Sequence, residues 1–154
     1  MSIEGLKRGD RAALAALLER HGGAVERLAE HLGAAGEERL IGAAVAIWQG
    51  SLIADPTVDE RAFVLTAAAS ALESPADASA VYAEIDPAQV ASLACRVALD
   101  LGDTLDEELL RARCEIPEAK EIVERVRDAL TAAKDVAGGG AFAARWARIE
   151  PRLR

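Results

Sequence analysis

The chain has 154 residues, a net charge of −8 at pH 7 and a 51% apolar composition that includes only two Phe, two Trp and one Tyr. This length is sufficient for one hydrophobic core without metals or disulfides, and the acidic balance argues against broad electrostatic binding to nucleic acid, which requires a basic surface. Ala, Leu, Glu and Arg favour helices, whereas Val, Ile and Thr are too scattered to build strands. We therefore predict an all-α protein, a compact bundle of eight or nine helices with no sheet.

The first part of the chain, residues 9–50, predicts three helices separated by glycines. The first helix begins after Asp10, a good N-cap, and is predicted to end near residue 20 because the pair Gly22 and Gly23 follows. The second is predicted over residues 24–32. The third, over residues 37–49, is apolar on almost every side, which is typical of a helix at the centre of a bundle.

Five further helices are predicted in the middle of the chain, each opened by a capping residue or by proline at its first position. They span residues 57–73, 74–82, 86–101, 104–114 and 117–136. Thr57 with Glu60 and Thr104 with Glu107 have the spacing of capping boxes. The apolar residues of the helix at 104–114 are Leu105, Leu109 and Leu110. The helix at 117–136 has the clearest amphipathic pattern in the sequence.

The last segment, residues 138–154, consists of three glycines followed by a predicted basic amphipathic helix. Its apolar residues recur at spacings of four, three and four: Phe142, Trp146, Ile149 and Leu153. Residues 141–154 carry a charge of +3, whereas residues 76–140 carry −7. Two arrangements are compatible with this pattern. The helix inserts into a hydrophobic groove of another protein, with Arg145 and Arg148 at the rim, or it folds back onto the acidic body of its own chain.

No pattern in the sequence predicts catalysis or metal binding. His21 and His31 lack the further ligands at helical spacing that a metal site requires, and neighbouring carboxylates fall in first turns of predicted helices, where they complement the helix dipole. We predict a protein that is not an enzyme and has no cofactor. Cys95 and Cys114 are predicted to be free thiols in a reducing cytoplasm, and no apolar stretch is long enough to cross a membrane.

Three stretches within residues 6–72 resemble region 2 of bacterial sigma factors of the extracytoplasmic-function class. They are LKRGDRAALAALLERHGGAVERLAEHLG (residues 6–33), EERLIGAAVAIWQG (residues 37–50) and ERAFVLTAAASAL (residues 60–72). Trp48 lies near the end of the second stretch. The resemblance implies a helical region-2 fold that contacts RNA polymerase and promoter DNA. The chain departs from the family where polar side chains serve those contacts. Ile41 and Gly42 replace a Gln-Glu pair, and Gln49 replaces a basic residue. We therefore carry over no binding residue.

These observations predict one continuous domain: a sigma-region-2-like bundle over residues 1–75, an acidic helical half over residues 76–137 packed on it, and the glycine turn with the basic helix over residues 138–154. The predicted function is a non-catalytic protein-interaction module, an adaptor or regulator that reuses a sigma-like domain. Its partner is another protein, with a homodimer left open and neither DNA nor a membrane expected.

The alternative function is a transcription regulator that contacts RNA polymerase or promoter DNA through residues 6–72. It requires a basic surface patch, and the candidate side chains are Lys7, Arg8, Arg11 and Arg20.

Overall fold

The computed structural model describes residues 2–73 and 86–153, and within these two ranges it contains eight α-helices, a 3₁₀ turn and no strand. The helices are α1 (Ser2–Lys7), α2 (Arg11–His31), α3 (Glu37–Gly50), α4 (Glu60–Glu73), α5 (Pro87–Ala98), α6 (Thr104–Arg113), α7 (Pro117–Ala133) and α8 (Phe142–Ile149). The 3₁₀ turn, Glu150–Arg152, follows α8 directly. The prediction of an all-α bundle without a sheet is confirmed.

The longest helix, α2, lies at the centre of the bundle and packs against α1, α3, α4, α7 and α8. Its 21 residues span about 30 Å, which is the width of a small domain. The sequence predicts α3 for this central position because it is apolar almost all round. α3 is indeed largely buried, but it packs chiefly against α4, α2 and α8. The short helix α1 has no counterpart among the sequence predictions.

The predicted break at Gly22 and Gly23 does not occur, because α2 continues through both glycines to His31. A Cβ atom on Gly22 would lie 2.7 Å from Cδ2 of Phe142, and one on Gly23 would lie 2.9 Å from the carbonyl oxygen of Gly138. The two glycines therefore allow the turn before α8 to approach the helix backbone. This packing offsets an intrinsic helix-propensity cost of about 1 kcal/mol for each glycine.

The helix starts that the sequence assigns to threonine are capped instead by aspartates close by. Asp59 caps α4 by accepting a hydrogen bond from the backbone N–H of Ala62 at 2.9 Å. α6 begins after Asp103, which exchanges hydrogen bonds with Asp106 in a complete capping box. A carboxylate is favoured at these positions because its charge also complements the positive end of the helix dipole.

The start of α5 is as predicted, with Asp86 as N-cap and Pro87 at the first position. The helix ends at Ala98, three residues before the predicted end, and Asp100 follows it with a left-handed φ of 62°. The short helix predicted over residues 74–82 lies outside the described residues.

One hydrophobic core runs through all eight helices, from Ile3 in α1 to Leu153 after α8. The three segments distinguished in the sequence, at 1–75, 76–137 and 138–154, all contribute to it. The C-terminal segment is thus built into the same core as the rest of the described chain.

Candidate functional site

The amphipathic stripe of α8, predicted as a partner-binding surface, faces the interior of its own chain. Phe142, Ile149 and Leu153 are buried, and Trp146 is half-buried against the core. α8 packs on α2 and α3. Of the two arrangements compatible with the sequence, the structure has the fold-back. Three of these side chains are therefore inaccessible to a partner, and Trp146 is partly covered by its own chain, so we do not retain the four as a binding site.

The three glycines make this fold-back possible. Gly138 and Gly140 have φ values of 83° and 57°, a region that is strained for residues with a side chain. The N–H of Gly23 in α2 donates a hydrogen bond to the carbonyl oxygen of Gly138 at 2.9 Å. A Cβ on Gly139 would lie 2.9 Å from the carbonyl oxygen of Glu19, so this residue also lies directly against the α2 backbone. The sequence predicts the helix break here but not the docking of the turn.

The arginines of α8, expected at the rim of a partner's groove, pair with carboxylates of α2 and α3. Arg145 bonds Glu26 at 2.7 Å and Glu37 at 3.2 Å, and Arg148 bonds Glu37 at 2.7 Å. Glu26 also accepts a hydrogen bond from the N–H of Ala141 at 2.7 Å. The two arginines of α8 are therefore paired within the chain, with carboxylates of the N-terminal half rather than of the more acidic residues 76–140. Neither Arg145 nor Arg148 is retained as a partner-binding residue.

The four cations proposed for a DNA-binding patch lie at different places. The ammonium group of Lys7 donates to the carbonyl oxygen of Ala54 at 2.7 Å and to two neighbouring carbonyls. Arg11 bonds the carbonyl oxygen of Leu153 at 3.1 Å, and Arg20 pairs with Glu60. Three of the four are thus tied to separate parts of the fold, and only Arg8 lacks such a bond in the described chain.

His21 is enclosed between α2 and α4. Its Nδ1 accepts a hydrogen bond from Nε of Arg61 at 3.2 Å, and its Nε2 lies 3.7 Å from Oε1 of Glu60. Burial lowers the pKa of His21 below its ordinary value of 6.5; Glu60 opposes this effect, and Arg61 and Arg20 add to it. The ring is therefore neutral at pH 7. Across residues 2–73 and 86–153, no cluster of His, Cys, Asp or Glu has the arrangement of a metal site.

Two leucines of α6 lie on the protein surface although the sequence assigns them to its apolar side. Leu105 is 60% exposed and Leu109 is 44% exposed, whereas Leu110 is buried. Because residues four apart share a helix face, the first two form one apolar ridge. The buried side of α6 is instead formed by Asp106 and Leu110. The spacing of four between the exposed leucines was visible in the sequence, but it does not reveal which face is covered.

A cleft of about 320 Å³ adjoins this ridge between α5 and α6. Its lining includes Leu93, Arg96, Leu109 and Arg113. Arg96 pairs with Asp106 at 2.8 Å, whereas Arg113 is exposed and makes no hydrogen bond or ion pair to any described residue. The cleft thus places the guanidinium of Arg113, which has no partner among the described residues, beside an exposed leucine.

A second and larger groove, of about 810 Å³, lies between α3, α4 and α5. Ile53, in the loop after α3, is 92% exposed and lines it together with Phe63 and Leu101. Thr66 and Arg96 are among its polar lining residues. No sequence pattern predicts this groove, because small residues on three helices form it only when those helices pack together.

Comparison with known proteins gave no match: no family model, no curated protein and no solved structure matches this chain. The resemblance to sigma region 2 therefore stays a prediction. None of the helices in the described ranges has the length and apolar character needed to span a membrane.

Proposed function

We propose that this protein is a non-catalytic helical interaction module that binds another protein through α6. The observation that carries the proposal is the ridge formed by Leu105 and Leu109, which are 60% and 44% exposed on one face of a helix. Large apolar side chains that are exposed together are typical of protein-interaction surfaces. Burying each of them against a partner would contribute about 1–2 kcal/mol.

The surroundings of the ridge support a protein partner. Leu93 and Arg113 line the adjoining cleft, and Arg113 has no partner among the described residues, so an apolar side chain and a charged hydrogen-bond donor lie side by side. Arginine beside apolar residues is frequent among the side chains that dominate binding energy at protein interfaces. An amphipathic helix laid along α6, with a carboxylate directed at Arg113, would use both features.

The proposal keeps the role of adaptor or regulator but assigns it to α6 rather than to the C-terminal helix. It also places the protein in the cytoplasm, in keeping with the unpaired cysteines Cys95 and Cys114. A contact with DNA or RNA polymerase through residues 6–72 is not part of it, since Lys7 and Arg11 are bonded to backbone carbonyls of their own chain.

Affinity capture from the native host tests the proposal. The full-length protein carrying Leu105→Ser and Leu109→Ser is compared with the unchanged chain and with Leu52→Ser, a matched control at an exposed leucine far from α6 in sequence. We expect a partner that the unchanged chain and the control retain and that the double variant loses. Retention of the same partners by all three chains, with equal helicity by circular dichroism, would remove α6 from the proposal.

A further inference from the structure

We propose that two copies of this chain pair through α6, with the two helices antiparallel about a two-fold axis, when no other protein occupies the ridge. The inference rests on the proposed function, because it concerns the same surface, the ridge formed by Leu105 and Leu109. A second copy and another protein compete for this surface, so the pairing of copies regulates access to the ridge.

The helix α6 lies at the edge of the bundle and is open to a second helix along most of its length. It packs chiefly on α5, and of its ten residues only Asp106 and Leu110 are buried. Leu105, Leu109 and Ala112 are exposed, and their spacings of four and three place them on one face of the helix. Because alanine is small, a second helix can approach this face closely.

The exposed charges of α6 are divided along its length. Glu107 and Glu108 lie in its first half, and Arg111 and Arg113 lie in its second half. None of these four side chains makes a hydrogen bond or an ion pair with a described residue. In an antiparallel pair, the acidic half of each helix lies beside the basic half of the other, and the two helix dipoles also attract. A parallel pair would place like charges together, so the antiparallel arrangement is favoured.

The edge of the ridge supplies a specific ion pair between the copies. Glu108 and Arg111 lie along the same edge, because they are three residues apart in a helix. A two-fold axis perpendicular to the plane of the two helices keeps this edge on the same side in both copies. An axis beside Leu109 packs this leucine against Leu109 of the second copy and sets Glu108 opposite the arginine at position 111 of that copy. The symmetry forms this ion pair twice.

The size of the contact predicts weak pairing. A helix of ten residues is about 15 Å long, so two such helices bury less than the roughly 1,200 Å² of stable complexes. We expect a dissociation constant on the order of 100 µM in low salt. Association should weaken in high salt, because exposed charges are then screened. A weak dimer leaves the ridge available to a partner that binds more tightly.

Sedimentation equilibrium of the purified full-length protein, at concentrations below and above the expected dissociation constant, tests the pairing. Glu108→Arg and Arg111→Glu should each weaken the dimer about tenfold, because each sets like charges opposite one another at two symmetric contacts. A mixture of the two variants should form a heterodimer about as tight as the dimer of the unchanged chain. The control Arg8→Glu, a charge reversal at an exposed side chain outside α6, should leave the dimer unchanged.

A protein that stays monomeric at the highest concentration would overturn the pairing, and so would a dimer that neither α6 substitution weakens. A mixture of the two variants that associates no better than each alone would show that these charges do not meet across copies. The purified protein is free of host partners, whereas capture from the host tests the proposed function with Leu105→Ser and Leu109→Ser. A monomer that still captures a partner therefore refutes only the pairing, and a dimer that captures nothing refutes only the proposed function.

Discussion

Gly22→Ala is expected to destabilise the protein although it replaces glycine by alanine inside a helix. In an open position this change stabilises a helix by about 1 kcal/mol. At Gly22 the new Cβ would lie 2.7 Å from Cδ2 of Phe142 and still closer to the backbone carbonyl oxygen of Gly139. Backbone atoms and a buried ring have little room to move, so the overpacking cost should approach about 3 kcal/mol. The expected net loss of stability is about 2 kcal/mol.

The matched control is Gly42→Ala in α3, where a new Cβ meets no other atom within 4 Å. This substitution should stabilise the protein by about 1 kcal/mol. Urea unfolding followed by circular dichroism at 222 nm measures both changes in the free energy of unfolding. In a thermal melt of a chain of this size, each kcal/mol corresponds to a shift of about 2–4 °C in melting temperature. If Gly22→Ala stabilised the protein as Gly42→Ala does, the docking of the glycine turn on α2 would be refuted.

Three further outcomes are expected. Because the pKa of His21 is lowered in the folded state, the unfolded chain binds more protons, so stability should fall as the pH drops below about 6.5 and stay level above it. His21→Gln should flatten this pH dependence in urea titrations at several pH values. An unchanged dependence of stability on pH would contradict the role of His21. A double-mutant cycle of Glu26→Gln and Arg145→Gln should give a coupling energy of about 1 kcal/mol, and additive effects would show that the pair does not hold α8. Burial raises the pKa of Cys95 to about 12, so a thiol reagent should modify Cys114 alone in the native protein and both cysteines in urea. Labelling of Cys95 in the native protein would contradict this expectation and show that the core around Cys95 opens.

Much of the fold could be predicted from the sequence because helix starts depend on local chemistry. Asp10, Asp86 and Pro87 act where the sequence places them. The break at Gly22 was predicted from the same local rules and is wrong, since glycine in a helix also serves close packing with a segment more than a hundred residues away. Nothing near Gly22 in the sequence identifies Gly139 as its neighbour.

The candidate sites were less predictable, because exposure depends on which helices cover a given face. The stripe that contains Phe142 and Trp146 has the pattern of a binding helix, yet it fills the core of its own chain. The leucines at 105 and 109 have the pattern of a core stripe, yet they lie on the surface. Periodicity shows that one face of a helix is apolar but does not show what that face meets.

Site-specific photo-crosslinking in cells of the native host tests the proposed function most directly. A photoreactive amino acid at position 105, on the α6 ridge, is compared with one at Ala147, an exposed position of α8. We expect a crosslink to another protein from position 105 and none from position 147. A crosslink from position 147 alone would return the partner site to the C-terminal helix and contradict the proposed role of α6.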